Sequence, residues 1–400
     1  MAGRFSLFSK LSKTLENPSS SSPFLYFVSS PFSTSFLKTK TPKSLRKKRK
    51  PKPSARTTPV QSLPNTIPHF ESILARDSHF RFVTRSRDFL SRQPERVLRL
   101  DDAGKLHREL GFPRGRKVTR SILRHPLLFE IYRHSDNKLW LGFTDLMEEL
   151  LEEERRIVDS LELDRVNKVR KLLMMSANKR IPLNKIYHTR ALFGIPDDFR
   201  DRVLKYPDYF RVAVDESDGR RVLELVNWDP LLAVSELERE FMISEDRVKK
   251  AFNFNVKHSK DLDLDDDDRR KLNLLNTLPL VSPYSDGSRL DLWSLEAEKY
   301  RVGLIHEFLN LTLEKRALIH HIVEFKEEFS LTRRTYEMLL RQPKTFYLAG
   351  TEMNWAVFLK DGYDENGMLK KKDPQVVFNE KLYRYAEMQK LEPGFGIERA

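Results

Sequence analysis

Cysteine is absent from the 400 residues. That excludes disulfide scaffolds, thiolate-bound zinc, iron–sulfur clusters and every enzyme built on a cysteine nucleophile. Long apolar runs are absent as well. No stretch reaches the roughly 18 residues that a membrane-spanning helix needs. Phosphate loops, dinucleotide-binding glycine fingerprints, HExxH helices and GxSxG elbows are missing too. His320 and His321 are adjacent on an expected helix, so they point about 100° apart and cannot share a metal as an i,i+4 pair would. The acidic run 261–268 carries Asp266 where a calcium loop needs glycine and Leu272 where it needs glutamate. No catalytic residue, metal, cofactor, membrane contact or small-molecule substrate is therefore expected. RRM and KH signatures are also lacking.

Acids are scarce at one end. Residues 1–60 hold thirteen Lys/Arg and a single acid, Glu16, so they supply +12 of the net charge of +14. The basic balance is a property of that segment, and the rest of the chain is close to neutral. Phe5, Phe8, Leu11 and Leu15 fall at helical spacing with Arg4, Lys10 and Lys13 between them. Thirteen serines lie in the same 60 residues. An amphipathic, basic, Ser-rich, acid-poor start is the form of an organelle import signal. The run Arg46–Lys50 alone would also suit a nuclear signal or a phosphate-binding tail. The expected organisation is a transit peptide over 1–50, a Pro-rich linker over 51–69, a folded domain over 70–390 and a disordered tail over 391–400. Arg4 favours the mitochondrion; the serines would suit a chloroplast.

In the body, one short pattern recurs. An amphipathic helix ends at a proline, and a phenylalanine three residues on opens a strand. The prolines are Pro126, Pro207 and Pro343, and the phenylalanines are Phe129, Phe210 and Phe346. Proline disfavours helical geometry at the residue before it, so each marks a helix end. Each strand folds back through polar turn residues. The expected hairpins are 129–133 with 139–143, 210–214 with 222–226, and 346–349 with 355–359. Trp140, Trp228 and Trp355 lie in or just after the returning strands and are expected in the core with the phenylalanines.

Upstream of each proline a helix, a turn and a second helix are expected. The pairs are 105–110 with 116–124, 183–193 with 199–205, and 314–329 with 333–340. Asp197 or Asp198 is placed to cap the second helix of the middle pair, and Ser330-Leu331-Thr332 that of the last. The expected fold is mainly α with small β-hairpins: three winged-helix-like repeats, about 101–145, 180–230 and 312–362, joined by helical connectors in one elongated domain. One connector is read as a single helix over 146–175, another as a helix over 236–252. A last helix is expected over 374–389.

With catalysis set aside, binding remains. The second helix of the first unit is strongly basic: Arg114, Arg116, Lys117, Arg120 and Arg124. Arg120 and Arg124 are i,i+4 neighbours. Upstream, Arg81, Arg85 and Arg87 belong to a dense arginine set. The planar fork of arginine suits phosphate oxygens. Lys168, Lys171, Lys179 and Arg180 approach the second unit, which offers Arg202 and Lys205. The third offers Arg333, Arg334, Arg341 and Lys344. These residues are the candidate RNA contacts, chosen by charge and placement.

The body resembles the plant organelle RNA recognition domain family, the What's This Factor group, over about residues 70–390. The resemblance rests on Arg76-Asp77, Leu110-Gly111-Phe112-Pro113 and His125-Pro126-Leu127-Leu128-Phe129-Glu130. It continues through Tyr206-Pro207-Asp208-Tyr209-Phe210-Arg211 and Pro279-Leu280-Val281-Ser282-Pro283-Tyr284. Lys315-Arg316 through His321, Gln342-Pro343 and Phe346-Tyr347 complete it. It implies a plant organelle protein that binds intron RNA and promotes group II intron splicing with other nuclear-encoded splicing factors. The residues leave two other readings open: a protein-interaction scaffold in an organellar ribonucleoprotein, and a DNA-binding winged-helix regulator.

Overall fold

Three prolines end three helices with one set of hydrogen bonds. The residue before each proline donates its N–H to the carbonyl three back: His125 to Ile122 at 2.8 Å, Tyr206 to Val203 at 3.1 Å, Gln342 to Leu339 at 3.1 Å. Its own carbonyl accepts from the phenylalanine four residues on, at 3.0 Å for Phe129, 3.0 Å for Phe210 and 2.9 Å for Phe346. The helix thus ends at the residue before proline, where helical geometry is disfavoured. All three phenylalanines are buried. In each case the returning strand closes on the carbonyl just before the phenylalanine: Thr144 on Leu128, Val226 on Tyr209 and Lys360 on Thr345.

The computed structural model describes residues 66–112, 117–216, 218–243, 266–267, 270, 274, 278, 280–351 and 354–388. The expected transit peptide, the tail 391–400, most of the linker and acidic run, and Arg114 and Arg116 lie outside the described residues. So does the 244–252 part of the helix expected over 236–252.

The chain opens with α1 (Pro68–Leu90), whose first residue is a proline, where no helical N–H is needed. β1 (Leu98–Arg99), α2 (Leu100–Ala103), α3 (Val118–Ile122), β2 (Phe129–Arg133) and β3 (Leu139–Phe143) form the first sheet and its helices. Then come α4 (Asp145–Ser160) and α5 (Glu162–Met175). The second sheet is built by β4 (Arg180–Pro182), α6 (Leu183–Phe193), α7 (Phe199–Arg202), β5 (Phe210–Val214) and β6 (Arg221–Leu225). After α8 (Glu236–Ile243) and α9 (Leu295–Leu311), the third follows: β7 (Arg316–Leu318), α10 (Ile319–Glu324), α11 (Thr335–Leu340), β8 (Phe346–Ala349) and β9 (Ala356–Leu359). α12 (Pro374–Met388) comes last. The fold is mainly helical with small antiparallel sheets, as expected. Each sheet has its first strand beside its third and its third beside its second.

The first two hairpin strands match the expected bounds, with Phe129 opposite Phe143. In the second and third hairpins the returning strands differ by one residue, Arg221–Leu225 and Ala356–Leu359. Other expectations are corrected. The helix over 146–175 is two helices, broken at Leu161, whose φ −99° and ψ 7° lie off the helix, with the Ser160 hydroxyl donating to the Ile157 carbonyl. Residues 105–110 form single turns, and Arg85 takes the Arg108 carbonyl. The helix expected over 116–124 is the shorter α3. Residues 314–329 are not one helix: Arg316–Leu318 pair with β9 before α10 begins. Asp198 stands before α7 without capping it, because its carboxylate binds Arg202 at 2.8 Å. α11 starts after Arg334 rather than at a Ser/Thr cap. The tryptophans depart from the expected core: Trp228 is exposed and Trp140 half-buried, while Trp355, also half-buried, packs against the core edge.

The first strands β4 and β7 are entered through matching junctions. α5 and α9 are each followed by a hydroxyl residue that bonds back to the helix, Ser176 to Leu173 and Thr312 to Leu309. Three residues on stands a lysine in the left-handed region, Lys179 at φ 54° and Lys315 at φ 51°. Each ammonium caps a helix-end carbonyl, Lys179 on Met174 and Lys315 on Asn310. Each lysine carbonyl then accepts from the third strand, from Leu225 and Leu359.

The second and third sheets share one core, through Phe193, Phe308 and Phe325 among others. The first sheet has its own, which packs Phe80, Leu110 and Leu141 with Phe378 and Leu382 of α12. A buried ion pair ties α12 to α5. Gly194, left-handed at φ +71°, closes α6, and a Cβ there would lie 2.9 Å from the Arg165 guanidinium. That guanidinium, almost fully buried, grips both Asp373 oxygens at 2.7 Å. Asp373 in turn accepts from the Gln375 N–H at the start of α12. Burial alone would raise the Asp373 carboxyl; the hydrogen bonds and charge of Arg165 outweigh it and hold the pKa down at about 2. A depressed carboxylate stabilises the fold above its unfolded pKa of about 4, and that contribution is lost as pH falls toward the folded value. We expect Asp373→Asn to cost about 3 kcal/mol, because it removes the bidentate anion of the buried Arg165 and leaves it only the exposed Asp164. Urea unfolding at several acidic pH values should show that the variant lacks the part of the stability loss that wild type suffers below about pH 4.

Candidate nucleic-acid interface

α3 is a five-residue helix with a strict division of faces. Val118 and Ile122, four apart, are buried. Lys117 before it, Arg120 within it and Arg124 after it are exposed. None of the three is paired with a carboxylate among the described residues. Three cations therefore face water without internal anions.

A tight turn lies against two more arginines, on α1. Gly111 is left-handed at φ +75°, and a Cβ there would sit 2.7 Å from the Arg81 carbonyl and 3.0 Å from the Arg85 side chain. Only glycine lets the turn lie this close against α1. Arg85 donates to the Arg108 carbonyl at 2.8 Å, so its guanidinium is partly fixed while the side chain stays exposed. Arg81 and Arg85 also line a cleft of about 760 Å³ among α1, α10, α12 and the turn between β8 and β9. In that cleft Arg316 is spent on Asp77 at 2.6 Å. Burial and the neighbouring His320 push His321 down to about 4, so its ring is neutral at pH 7.

The other sequence candidates divide sharply. Arg87 binds Asp88 at 2.7 Å and Glu154 at 3.2 Å. Arg202 is surrounded by Asp198, Asp159 and Glu162. Lys168 bridges Asp164 and Asp373, and burial pulls its pKa down. Lys171 binds the buried Glu307 at 3.1 Å. Lys179 caps α5, its ammonium 5.0 Å from the Trp228 ring, and Arg180 lies 3.5 Å from Asp215. These six hold the fold. Lys205, Arg333 and Lys344 are exposed, and no carboxylate pairs with them among the described residues. Arg334 is exposed beside the Trp293 ring, and Arg341 is half-buried. Arg200 lies over the Tyr187 ring at 4.6 Å, with Arg190 at 4.1 Å from the same ring. Charge counting missed these aromatic partners, because nothing in the local sequence says which cation meets which ring.

Among the described residues, no cluster of three or more His, Asp or Glu could hold a metal, and no helix is long and apolar enough to cross a membrane. The architecture is that of a helical protein with small sheets that presents cationic faces to solvent. The profile of the plant organelle RNA recognition domain matches residues 66–391, and the chain belongs to that family. It is 37% identical over 324 residues to Protein WHAT'S THIS FACTOR 1 homolog, chloroplastic, of Oryza sativa subsp. japonica, covering 78% of this chain and 63% of that protein. It is 38% identical to the protein of the same name in Arabidopsis thaliana, covering 78% and 61%. The chain thus spans a little under two thirds of the length of these relatives. Protein WHAT'S THIS FACTOR 9, mitochondrial, of Arabidopsis thaliana is 27% identical, covering 74% of this chain and 77% of that protein. No solved structure matches.

Gly111→Ala should destabilise the protein by about 2 kcal/mol, from left-handed strain plus the clash with Arg81. Gly219 is also left-handed at φ +70° but meets nothing within 4 Å. Gly219→Ala should therefore cost only the backbone part, about 1 kcal/mol. Urea titration of both variants checks the difference.

Proposed function

We propose that this protein is a non-catalytic RNA-binding factor of a plant organelle that promotes group II intron splicing by holding intron RNA in a competent fold. The reading takes the chain as three winged-helix-like units over residues 70–390, preceded by an import signal and linker. Its main support is the row of exposed cations Lys117, Arg120 and Arg124, with Arg81 and Arg85 exposed on α1, in a chain of a plant organelle RNA recognition family. Arg114 and Arg116 belong to the same basic segment. Lys205, Arg333, Arg334 and Lys344 would add contacts from the other units. Phosphate contact fixes position and carries no chemistry, which leaves the reaction to the intron. Other nuclear-encoded splicing factors would share the particle. The organelle is the mitochondrion on the strength of Arg4; the chloroplast names of the more similar relatives favour the other choice.

The test is RNA co-immunoprecipitation from separately purified mitochondria and chloroplasts, read against each organellar transcriptome. Enrichment of particular group II intron transcripts from one organelle is the expected result. Recovery of a defined protein set with no RNA above background would replace the reading with the scaffold. Preference for duplex DNA in competition would replace it with a DNA-binding regulator.

The triple substitution Lys117→Ala, Arg120→Ala, Arg124→Ala should abolish that enrichment. In vitro, the slope of log affinity against log salt should become shallower by about 2, at roughly 0.7 per phosphate contact on a single strand. The side chains are exposed, so the thermal midpoint should stay close to wild type.

A further inference from the structure

We propose that Trp293 and Arg334 form a stacking platform for an unpaired base of single-stranded RNA, a second contact apart from α3. The proposal rests on the RNA-binding reading and adds the form of nucleic acid this face takes. Trp293 is 71% exposed. A large ring left in water in a folded domain lacks an internal packing role. Its position is nevertheless fixed from several sides. The Trp293 backbone N–H donates to the Asp291 carboxylate, and the Ser294 hydroxyl donates to the Asp291 carbonyl. Ser294 then caps α9 by accepting from the Ala297 N–H at 3.1 Å. Leu290, just before, packs against the shared core.

The cation is brought to the ring by a buried clamp. Arg301 of α9 is 6% exposed. Its guanidinium donates to the Leu292 carbonyl and, at 3.2 Å, to the Ser330 carbonyl. One side chain thus binds the loop that carries Trp293 to the turn that leads into α11. Leu331 anchors that turn in the core. Arg334 follows, with its guanidinium carbon 5.9 Å from the Trp293 ring centroid. Arg333 beside it is exposed and has no carboxylate partner among the described residues. An exposed indole on a braced loop, with the Arg334 guanidinium beside it and Arg333 next in sequence, offers a π-face to a base and a fork to the adjoining phosphate. Duplex RNA is excluded as the ligand of this face, since its bases are already stacked.

The test uses the full chain, with fluorescein-labelled random-sequence single-stranded RNA and an RNA duplex as probes, read by anisotropy at fixed salt. Trp293→Ala should weaken single-strand binding about tenfold, within the range for one lost base stack. Trp293→Phe, which keeps a ring, should recover much of that loss, and duplex binding should be unchanged in both. Circular dichroism should show both variants folded. Equal single-strand affinity of Trp293→Ala and wild type would overturn the platform and leave the RNA-binding reading standing. An equal loss on duplex and single strand would also overturn it, as a general charge or folding effect. Failure of wild type to bind any RNA would remove the reading on which the platform rests. If Trp293→Ala kept its RNA affinity but lost a co-purifying protein, the ring would belong to a protein contact and the platform would fall.

Discussion

Four charged or imidazole side chains are buried on one helix, and where they find their partners sets which helices and loops close around it. α9 is covered on nearly every side, and Lys299, Arg301, His306 and Glu307 go inside with its leucines. A buried charge without a partner costs several kcal/mol, so each must be satisfied. Glu307 accepts from the Lys171 ammonium of α5, the Tyr284 hydroxyl and the backbone N–H of Glu236 that opens α8. Lys299 caps the Leu278 carbonyl, and Arg301 binds two loop carbonyls. His306 faces Asn310, and burial lowers its pKa to about 4, so it stays neutral at pH 7. The apolar residues of α9 supply the gross burial, but they would accept several neighbours. The polar ties select one.

The same demand explains the distribution of surface charge. The body is rich in charge yet close to neutral, and most of its cations are held by carboxylates or carbonyls within the chain. Arg165, Arg170, Arg202 and Arg316 all lie in such pairs. Among the described residues, the exposed cations without a carboxylate partner are spread over the surface, and they stand close together in sequence around α3 and at the start of α11. A polyanion meeting this protein would find discrete footholds rather than a uniformly basic face. Discrete footholds suit a structured ligand with defined phosphate positions better than they suit loose coating.

Much of the backbone was legible because proline and hairpin chemistry are local. Pro126, Pro207 and Pro343 announced three helix ends, and alternation announced the strands after them. The first strands β1, β4 and β7 were not legible. Two or three residues are too few to show a period, and their identity as strands comes only from pairing with residues about forty further on. A local signal did exist for two of them: Ser176 and Thr312 each stand three residues before Lys-Arg. The roles of the basic residues were less legible still. Arg165 meets Asp373 across 208 positions, and no spacing rule reaches that far. Composition found the cations; only tertiary structure separates those that brace the fold from those left to a ligand. Tryptophan misled for a related reason. Its size suggests the core, yet Trp228 lies on the surface beside the Lys179 ammonium.

The last helix has a consequence for how the chain matures. α12 fills the core of the first sheet: Phe378, Leu382 and Ala386 pack there, the Phe80 ring stacks on Tyr383, and His125 meets the Ala386 carbonyl. Residues 66–150 thus remain an unfinished body until residues near 386 arrive. A ribosome, or an import pore threading the chain from its amino end, delivers those residues late. Through that interval the apolar face of α1 and the first sheet stays open. The molecule must therefore ripen as a whole, and a chain cut short of α12 would strand its earliest-made part as prey for chaperones and proteases.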